Sequence, residues 1–199
     1  MLDMIRGFFS TKLSREQQVA LLLYERVVAA ARKPVLYERG GVPDSLDGRV
    51  ECIALHAFLV FRRMTGQPGW DVVGGALSDE IVADFDRSLR EMGVGDMSIG
   101  KKVKKLAQAF FSRFDGYWGA VNGADGADDL PDVLRRGLFL GKPVTEAQVA
   151  AMVDYFDRQS THLFGQDAAN ILKGLIEFSD PDPDFSGLPR AAEPGGLDR

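Results

Sequence analysis

The chain has 199 residues, of which 45% are hydrophobic, and carries a formal net charge of -5 at pH 7. That length and hydrophobic fraction suffice for one sizeable core, and the single cysteine, Cys52, excludes an intramolecular disulfide framework. No apolar run approaches the roughly 20 residues that span a bilayer, and Met1–Phe9 lacks the continuous apolar core of a secretory signal, so a cytoplasmic protein is expected.

Residues 1–13 are predicted to be a short amphipathic segment, because apolar side chains there are interspersed with Arg6 and Lys12. Such a segment can lie along a membrane surface, although anchoring by it alone would be weak. The apolar side chains are Leu2, Ile5, Phe8 and Phe9.

The first long helix is predicted to begin after Ser14, since Ser14 and Gln17 have the spacing of a capping box. Apolar residues then recur every three or four positions until Pro34 ends the helix. The following segment, Lys33–Gly48, is rich in Gly, Pro and Asp and is predicted to be a long connection.

A second helix is predicted from Asp47, as N-cap, to the stop signal at residues 66–69, and a third from Trp70 or Ser78 to Met92. Two adjacent glycines make the first turns of the third helix doubtful. The second helix has one predicted apolar face, formed by Val50, Ile53, Ala57, Val60 and Met64.

The stretch Leu89–Lys105 imitates a phosphate-binding loop, because Gly95, Gly100 and Lys101 fit the pattern Gly-x-x-x-x-Gly-Lys. The next position should offer a hydroxyl to a magnesium ion, but Lys102 stands there. The residues before the loop are amphipathic and do not form a β-branched strand. A nucleotide site is therefore not predicted.

The same stretch is better explained as a connection between two helices. Gly93 and Gly95 are suited to a helix C-terminus, where a left-handed residue carries little penalty. Asp96 or Ser98 can cap the next helix, which is predicted to extend to about Asn122.

The C-terminal part is predicted to contain three further helices: Pro131–Leu140, a helix from the capping box at Thr145 to about Leu163, and Gln166–Phe178. Residues 180–199 are acidic and rich in Pro and Gly, which predicts a disordered tail. No run of alternating apolar and polar residues suggests a sheet. The sequence therefore predicts an all-α fold: one compact domain over residues 14–179 with about six or seven helices.

Two observations bear on chemistry. Cys52 and His56 are four residues apart on one helix, a spacing that can place two metal ligands together, but the chain has only one other histidine and no second cysteine. No metal site, cofactor or nucleophilic triad is predicted, and the protein is expected not to be an enzyme. A basic cluster is either a solvated helix face or a contact for phosphates of ribosomal RNA or anionic lipid; it consists of Lys101, Lys102, Lys104 and Lys105.

Long and unusual motifs then match a known family. They are Arg32–Tyr37, Gly41–Glu51, Leu55–His56, Arg62–Arg63, Asp84–Asp96 and Lys101–Lys102. Together they closely resemble the ubiquinol-cytochrome c chaperone family over about Glu25–Leu140, with weaker likeness to Phe178. Mitochondrial members carry an import sequence, whereas this chain starts almost directly at the family domain, so a bacterial member is expected.

The resemblance implies an assembly chaperone for the cytochrome bc1 complex, respiratory complex III. Its client would be newly made cytochrome b or another subunit, held at the cytoplasmic face of the inner membrane until haem and partner subunits arrive. A small partner subunit and the ribosome are partners of mitochondrial members, and no specific nucleic acid is expected. The residues carried over as client or partner contacts are Tyr37, Pro43, Asp44, Asp47, Arg49, Glu51, His56, Arg90, Glu91 and Asp96. Five charged ones among them would either fix loop geometry or recognise polar groups of the client: Arg49, Glu51, Arg90, Glu91 and Asp96.

Two alternatives remain at this stage. One is a peripheral membrane protein or a binding protein for quinone or lipid, which would use the basic cluster. The other is a small enzyme that uses Asp44, Asp47, Arg49 and His56, and a fold that buries these groups in mutual hydrogen bonds would exclude it.

Overall fold

Apolar residues at helical spacing produce a bundle in the computed structural model, which describes residues 13–190. The helices are α1 (Arg15–Ala31), α2 (Pro34–Glu38), α3 (Leu46–Met64), α4 (Trp70–Glu91), α5 (Asp96–Asn122), α6 (Leu130–Arg136), α7 (Glu146–Phe164), α8 (Ala168–Ile171) and α9 (Asp182–Phe185). Within those residues there is no strand, and the predicted all-α fold is confirmed. The predicted amphipathic segment, except for its last residue Leu13, lies outside the described residues.

The two predicted capping boxes are confirmed. The Ser14 hydroxyl accepts a hydrogen bond from the Gln17 backbone N–H at the start of α1, and Oε1 of Gln17 accepts one from the Ser14 backbone N–H. Thr145 and Gln148 make the same reciprocal pair at the start of α7. Each pair satisfies two backbone N–H groups that would otherwise lack partners.

The start of α3 differs from the prediction. Ser45, and not Asp47, is the N-cap: its hydroxyl accepts a hydrogen bond from the Gly48 backbone at 3.2 Å. The connection before it is also less irregular than predicted, because Pro34–Glu38 forms the short helix α2. Pro34 fits the first turn of that helix because its fixed φ and missing N–H carry no penalty there, and Leu36 anchors the helix in the core.

The cap assignment leads to a stability prediction. Ser45→Ala is expected to lower the free energy of unfolding by about 1 kcal/mol, because the Gly48 N–H loses its acceptor. Asp47→Ala is the matched control and should cost only about 0.3 kcal/mol, through the helix dipole. Urea unfolding of both variants measures the difference, and a larger loss in the Asp47 variant would restore Asp47 as the cap.

The core is organised around α3. Every residue from Glu51 to Val60 is buried, so this helix is covered on all sides and not only along the predicted apolar face. Helices α1, α5 and α7 pack directly against it. A helix segment without an exposed face belongs in the middle of a bundle, and Glu51–Val60 of α3 holds that position.

Aromatic rings fill the space between α3, α5 and α7. The ring of Phe58 lies 5.0 Å from that of Tyr117, 5.6 Å from that of Phe114 and 6.1 Å from that of Phe156, measured between centroids. Such edge-to-face and offset pairs add stability beyond their buried area. Phe58 is therefore the central packing residue of the domain.

Helices α4 and α5 form an antiparallel pair joined by a tight connection. Helix α4 begins at Trp70 and includes Gly74. A glycine is required at position 74, because a Cβ there would approach the Trp70 ring to about 2.9 Å. Gly93, with φ of 80°, ends α4 as predicted, and the Val94 N–H donates to the Leu89 carbonyl at 3.0 Å. Neither predicted cap of α5 is correct, since Gly95 occupies the cap position without a side-chain bond.

The C-terminal region departs most from the prediction. The predicted helix Gln166–Phe178 is wrong: only Ala168–Ile171 is helical, and the chain then turns at Gly174, whose φ is 81°. The packed chain also continues beyond residue 179, because Asp182–Phe185 is helical and the Phe185 side chain is fully buried. The remainder of the predicted tail, residues 191–199, lies outside the described part.

The predicted helix Pro131–Leu140 ends earlier, at Arg136. Leu140 then adopts a φ of 57°, which makes it the single non-glycine residue with positive φ among residues 13–190. In the same part of the chain, no helix combines the length and the apolar character needed to cross a membrane.

Candidate functional site

An apolar groove lies between the N-terminal half of α3 and the middle of α5. It has a volume of about 290 Å³ and is called the α3–α5 groove below. Two predicted contact residues, Asp47 and Glu51, line it. The other lining residues are Val50, Ala54, Leu106, Ala109, Phe110, Arg113 and Leu140.

The groove arises from the spacing of residues on the two helices. Asp47, Val50, Glu51 and Ala54 follow one another at three- and four-residue steps, which brings them to one face of α3. Leu106, Ala109, Phe110 and Arg113 do the same on α5. Small residues at positions 54 and 109 leave room between the helices, and the groove occupies that room.

An ion pair crosses the groove. The Arg113 guanidinium donates to both carboxylate oxygens of Glu51, at 2.9 and 3.0 Å from Nε. The Glu51 side chain is only 11% exposed, whereas that of Arg113 is 38% exposed. The adjacent carboxylate raises the pKa of Arg113 above its usual range. Arg113 thus keeps a buried charge on α3 neutralised while its own outer edge faces solvent.

Arg113 is a residue that the sequence analysis missed. It lies between Phe110 and Phe114 on the side of α5 that meets α3, so a charge there required a partner. Glu51 presented the same signal on α3, since it is followed by nine consecutive buried residues. The pairing itself could not be read from the sequence because the two residues are 62 positions apart.

A second group of predicted residues meets on the surface between α2 and the start of α3. The Asp44 carboxylate accepts a hydrogen bond from Arg49 at 2.9 Å, and the Arg49 guanidinium lies 6.0 Å from the centre of the Tyr37 ring. The Tyr37 hydroxyl donates to the Ala31 carbonyl at 2.6 Å, which fixes the ring. Pro43 supplies the carbonyl that accepts from the Ser45 N–H, so it shapes the turn.

His56 is part of the core. Its Nδ1 lies 2.7 Å from the Cys52 carbonyl oxygen and its Nε2 lies 2.7 Å from the Tyr155 hydroxyl. Burial lowers the pKa of His56 to about 4, and it raises that of the Cys52 thiol to about 12. A neutral histidine with both nitrogens bonded is a packing residue and is not placed to contact a client.

The structure does not bring the four residues of the enzyme alternative, Asp44, Asp47, Arg49 and His56, to one place. Asp44 and Arg49 pair at the surface, Asp47 lines the α3–α5 groove, and His56 is enclosed in the core. Cys52 and His56 are not arranged as a pair of metal ligands either, since both ring nitrogens of His56 are already hydrogen-bonded, to the Cys52 carbonyl and to the Tyr155 hydroxyl. Across residues 13–190, no three His, Cys, Asp or Glu side chains are grouped to hold a metal ion.

The third group lies at the connection between α4 and α5. Arg90 donates to Asp86 at 2.6 Å on its own helix and to Asp96 at 2.6 Å on the first turn of α5. This bridge fixes the geometry of the connection, a role that accounts for Arg90 and Asp96 without any client. Glu91 is exposed beside them. Lys101, Lys102, Lys104 and Lys105 are exposed on the first turns of α5.

Comparison with known proteins adds a family match. The model of the ubiquinol-cytochrome C chaperone family matches residues 38–178, which include the whole α3–α5 groove. Among solved structures, the chain is similar to the Cbp3 homolog from Brucella abortus, with 31% sequence identity and a TM-score of 0.72. That similarity covers 92% of this chain and 98% of the other. No match was found among curated proteins.

Proposed function

The chain belongs to the ubiquinol-cytochrome C chaperone family, and we propose that it assists assembly of the cytochrome bc1 complex by binding a segment of newly made cytochrome b. The segment is released when haem and partner subunits are added. Binding takes place at the cytoplasmic face of the inner membrane. The protein acts as a binding protein and not as an enzyme.

The α3–α5 groove is the observation that carries this proposal. Leu140 forms part of its wall with a φ of 57°, a conformation that costs a leucine about 1 kcal/mol or more. Backbone strain of this kind persists where the surrounding structure enforces it, and it is concentrated at binding sites. The strained residue and the groove coincide, and this supports a role for the groove in binding.

The groove suits an apolar helical segment. Val50, Leu106 and Phe110 present apolar surface, while Asp47 and the Glu51–Arg113 pair provide polar groups at the edge. An amphipathic or membrane-derived helix binds such a groove through a few side chains spaced three or four residues apart. Cytochrome b is a membrane protein, so segments of this kind are abundant in the client.

The size of the groove favours weak and reversible binding. A volume of about 290 Å³ accommodates only two or three apolar side chains. Each contributes about 1.5–3 kcal/mol on burial, and the loss of translational and rotational freedom offsets a large part of that sum. Micromolar or weaker affinity is expected, which allows the client to leave.

The surface around Tyr37, Asp44 and Arg49 is proposed as a contact for a second partner, a small subunit or the ribosome. Asp44 and Arg49 are exposed and paired with each other, so they can exchange partners at modest cost. This surface lies beside a depression of about 340 Å³ that the same three residues line together with Arg32, Pro34 and Glu38.

Blocking the groove tests the proposal. Ala109 is exposed on the wall of the groove, so Ala109→Trp fills the space without disturbing the core. In a strain that lacks the native gene, this variant is expected to lower the membrane content of b-type haem at least about threefold relative to the wild-type protein, because occupying the groove removes most of the binding free energy. Ala150→Trp, on an exposed position of α7, is the matched control and should restore the wild-type spectrum.

The deletion strain and the Ala109→Trp variant test two different parts of the proposal. Normal complex III levels in the deletion strain would refute the assembly role. Reduced levels in the deletion strain with full rescue by Ala109→Trp would refute the groove as the client site and leave the assembly role intact.

A further inference from the structure

The connection between α4 and α5 presents methionine and lysine side chains together. Met97 is fully exposed and Met92 is 53% exposed. Four of the eight lysines of the chain follow within eight positions of Met97. This surface is called the basic tip below and consists of Met92, Met97, Lys101, Lys102, Lys104 and Lys105.

Helical geometry places most of these side chains on one face. Lys101, Lys104 and Lys105 stand four, seven and eight positions after Met97, which brings them to the same side of α5. The opposite side of α5 is the one that packs, since Ile99 is only 5% exposed. The lysines therefore form a patch that faces away from the core.

Three acidic residues near the basic tip are already paired with arginines, whereas Glu91 is exposed and forms no ion pair among residues 13–190. Arg90 binds Asp86 and Asp96, and Arg87 binds Asp84 at 2.8 Å. Within residues 13–190, none of the ion pairs involves a lysine. The lysine ammonium groups thus retain their charge for an external anion, while the net charge of the whole chain is -5.

We propose that the basic tip docks the protein on the surface of an anionic membrane, with the lysines at lipid phosphates and Met97 inserted among the headgroups. A fully exposed methionine beside lysines gains by leaving water for the boundary of the acyl chains. RNA offers no such gain, and proteins that bind single-stranded RNA without sequence preference combine basic groups with exposed aromatic rings, which the basic tip lacks. The combination of charge and apolar side chain therefore favours lipid.

The excess of acidic residues in the rest of the chain orients the protein on the membrane, with the basic tip towards the lipid. Each lysine near an anionic surface strengthens partitioning by about fivefold, and four lysines together by more than about 100-fold. The remainder of the chain carries a net negative charge, which the anionic surface repels. The protein is therefore held by its basic tip.

Co-sedimentation with lipid vesicles tests the proposal with the full chain. The tip variant carries Gln in place of Lys101, Lys102, Lys104 and Lys105. The control variant carries Gln in place of Arg26, Lys33, Lys142 and Lys173, which are exposed and scattered, so both variants lose the same charge. Both also keep residues 1–13, so any contribution of that segment is the same in the two variants. Circular dichroism verifies that the variants are folded.

The expected result is specific to the basic tip. With phosphatidylcholine vesicles containing about one third phosphatidylglycerol, the tip variant should lose at least about 100-fold in partitioning and the control variant less than about fivefold. Wild-type binding should decrease between about 0.1 M and 1 M salt, where the Debye length falls from about 10 Å to 3 Å. Met97→Ser should reduce partitioning a few-fold at every salt concentration.

Three results would overturn the proposal. They are equal losses in the tip and control variants, wild-type binding that persists on vesicles of phosphatidylcholine alone, and a tip variant that loses affinity for an RNA oligonucleotide while its vesicle binding is unchanged. The assay contains no client, so its failure leaves the proposed chaperone function untouched. A failure of the complementation experiment likewise leaves the membrane proposal untouched.

Discussion

Phe58→Ala is expected to lower the free energy of unfolding by about 3–5 kcal/mol and to reduce the melting temperature by roughly 10 °C. Phe58 is fully buried at the centre of the bundle and its ring contacts those of Phe114, Tyr117, Trp118 and Phe156. Removing the ring creates a cavity between three helices that cannot all move inward at once, so little of the lost packing is recovered. Urea unfolding monitored by circular dichroism measures the change.

Phe164→Ala is the matched control. That ring is 51% exposed and lies 5.5 Å from the Arg62 guanidinium, so its removal should cost less than about 1 kcal/mol. Comparable losses in the two variants would contradict the position of α3 at the centre of the core. The comparison also isolates burial, since both substitutions remove the same atoms from a helix.

The wild-type protein should lose about 2–3 kcal/mol of stability through His56 alone as the pH falls from about 6.5 to 4.5. In the unfolded chain the pKa of the imidazole is near its ordinary value of 6.5, whereas burial lowers the pKa in the folded protein to about 4. Below pH 6.5 the unfolded state therefore binds a proton that the folded state rejects. The stability that His56 contributes is fully present above pH 6.5 and is lost as the pH decreases towards 4.

The hydrogen bonds explain why the folded state rejects the proton. Nδ1–H donates to the Cys52 carbonyl, which leaves Nε2 to accept from the Tyr155 hydroxyl. A protonated ring would turn Nε2 into a donor and force the Tyr155 hydroxyl to find another acceptor inside the core. The charge itself would also lie in a site without water.

Unfolding as a function of pH measures this contribution. His56→Gln should be less stable than wild type at pH 7.5, and the difference should shrink by about 2 kcal/mol at pH 4.5. His162→Gln, which changes the only other histidine at an exposed position, is the control and should follow the wild-type curve. A constant gap between wild type and His56→Gln across this range would contradict a buried neutral histidine.

The contrast between α7 and the C-terminal region shows how far local patterns reach. The capping box at Thr145 and regular apolar spacing defined α7 almost to the residue, because both signals act within a few positions. Residues 166–178 have similar helix propensity, yet only Ala168–Ile171 is helical. Two hydrogen bonds between the Gln159 side chain and the Ser179 backbone, at 2.7 and 2.9 Å, hold the chain at the end of this segment against α7. A long-range contact of this kind overrides propensity.

The same distinction applies to the predicted contact residues. Motif resemblance selected Glu51, Arg90 and Asp96, which form ion pairs inside the fold, Asp47, which lines the α3–α5 groove, and His56, which is enclosed in the core. Contact of these residues with a client stays a prediction. A motif records that a residue type matters at a position. It does not distinguish a side chain that binds a partner from one that stabilises the fold.

The sequence by itself determined the all-α class, the caps of α1 and α7, the turn at Gly93 and the resemblance to the chaperone family, because these depend on neighbouring residues or on long motifs. Only the tertiary structure decided that α3 is buried on all sides, that Arg113 neutralises Glu51, and that Leu140 is held at positive φ beside a groove. Each of these depends on which helix faces which. The contacts between helices are determined by packing of residues that are distant in the sequence, so no local pattern predicts them.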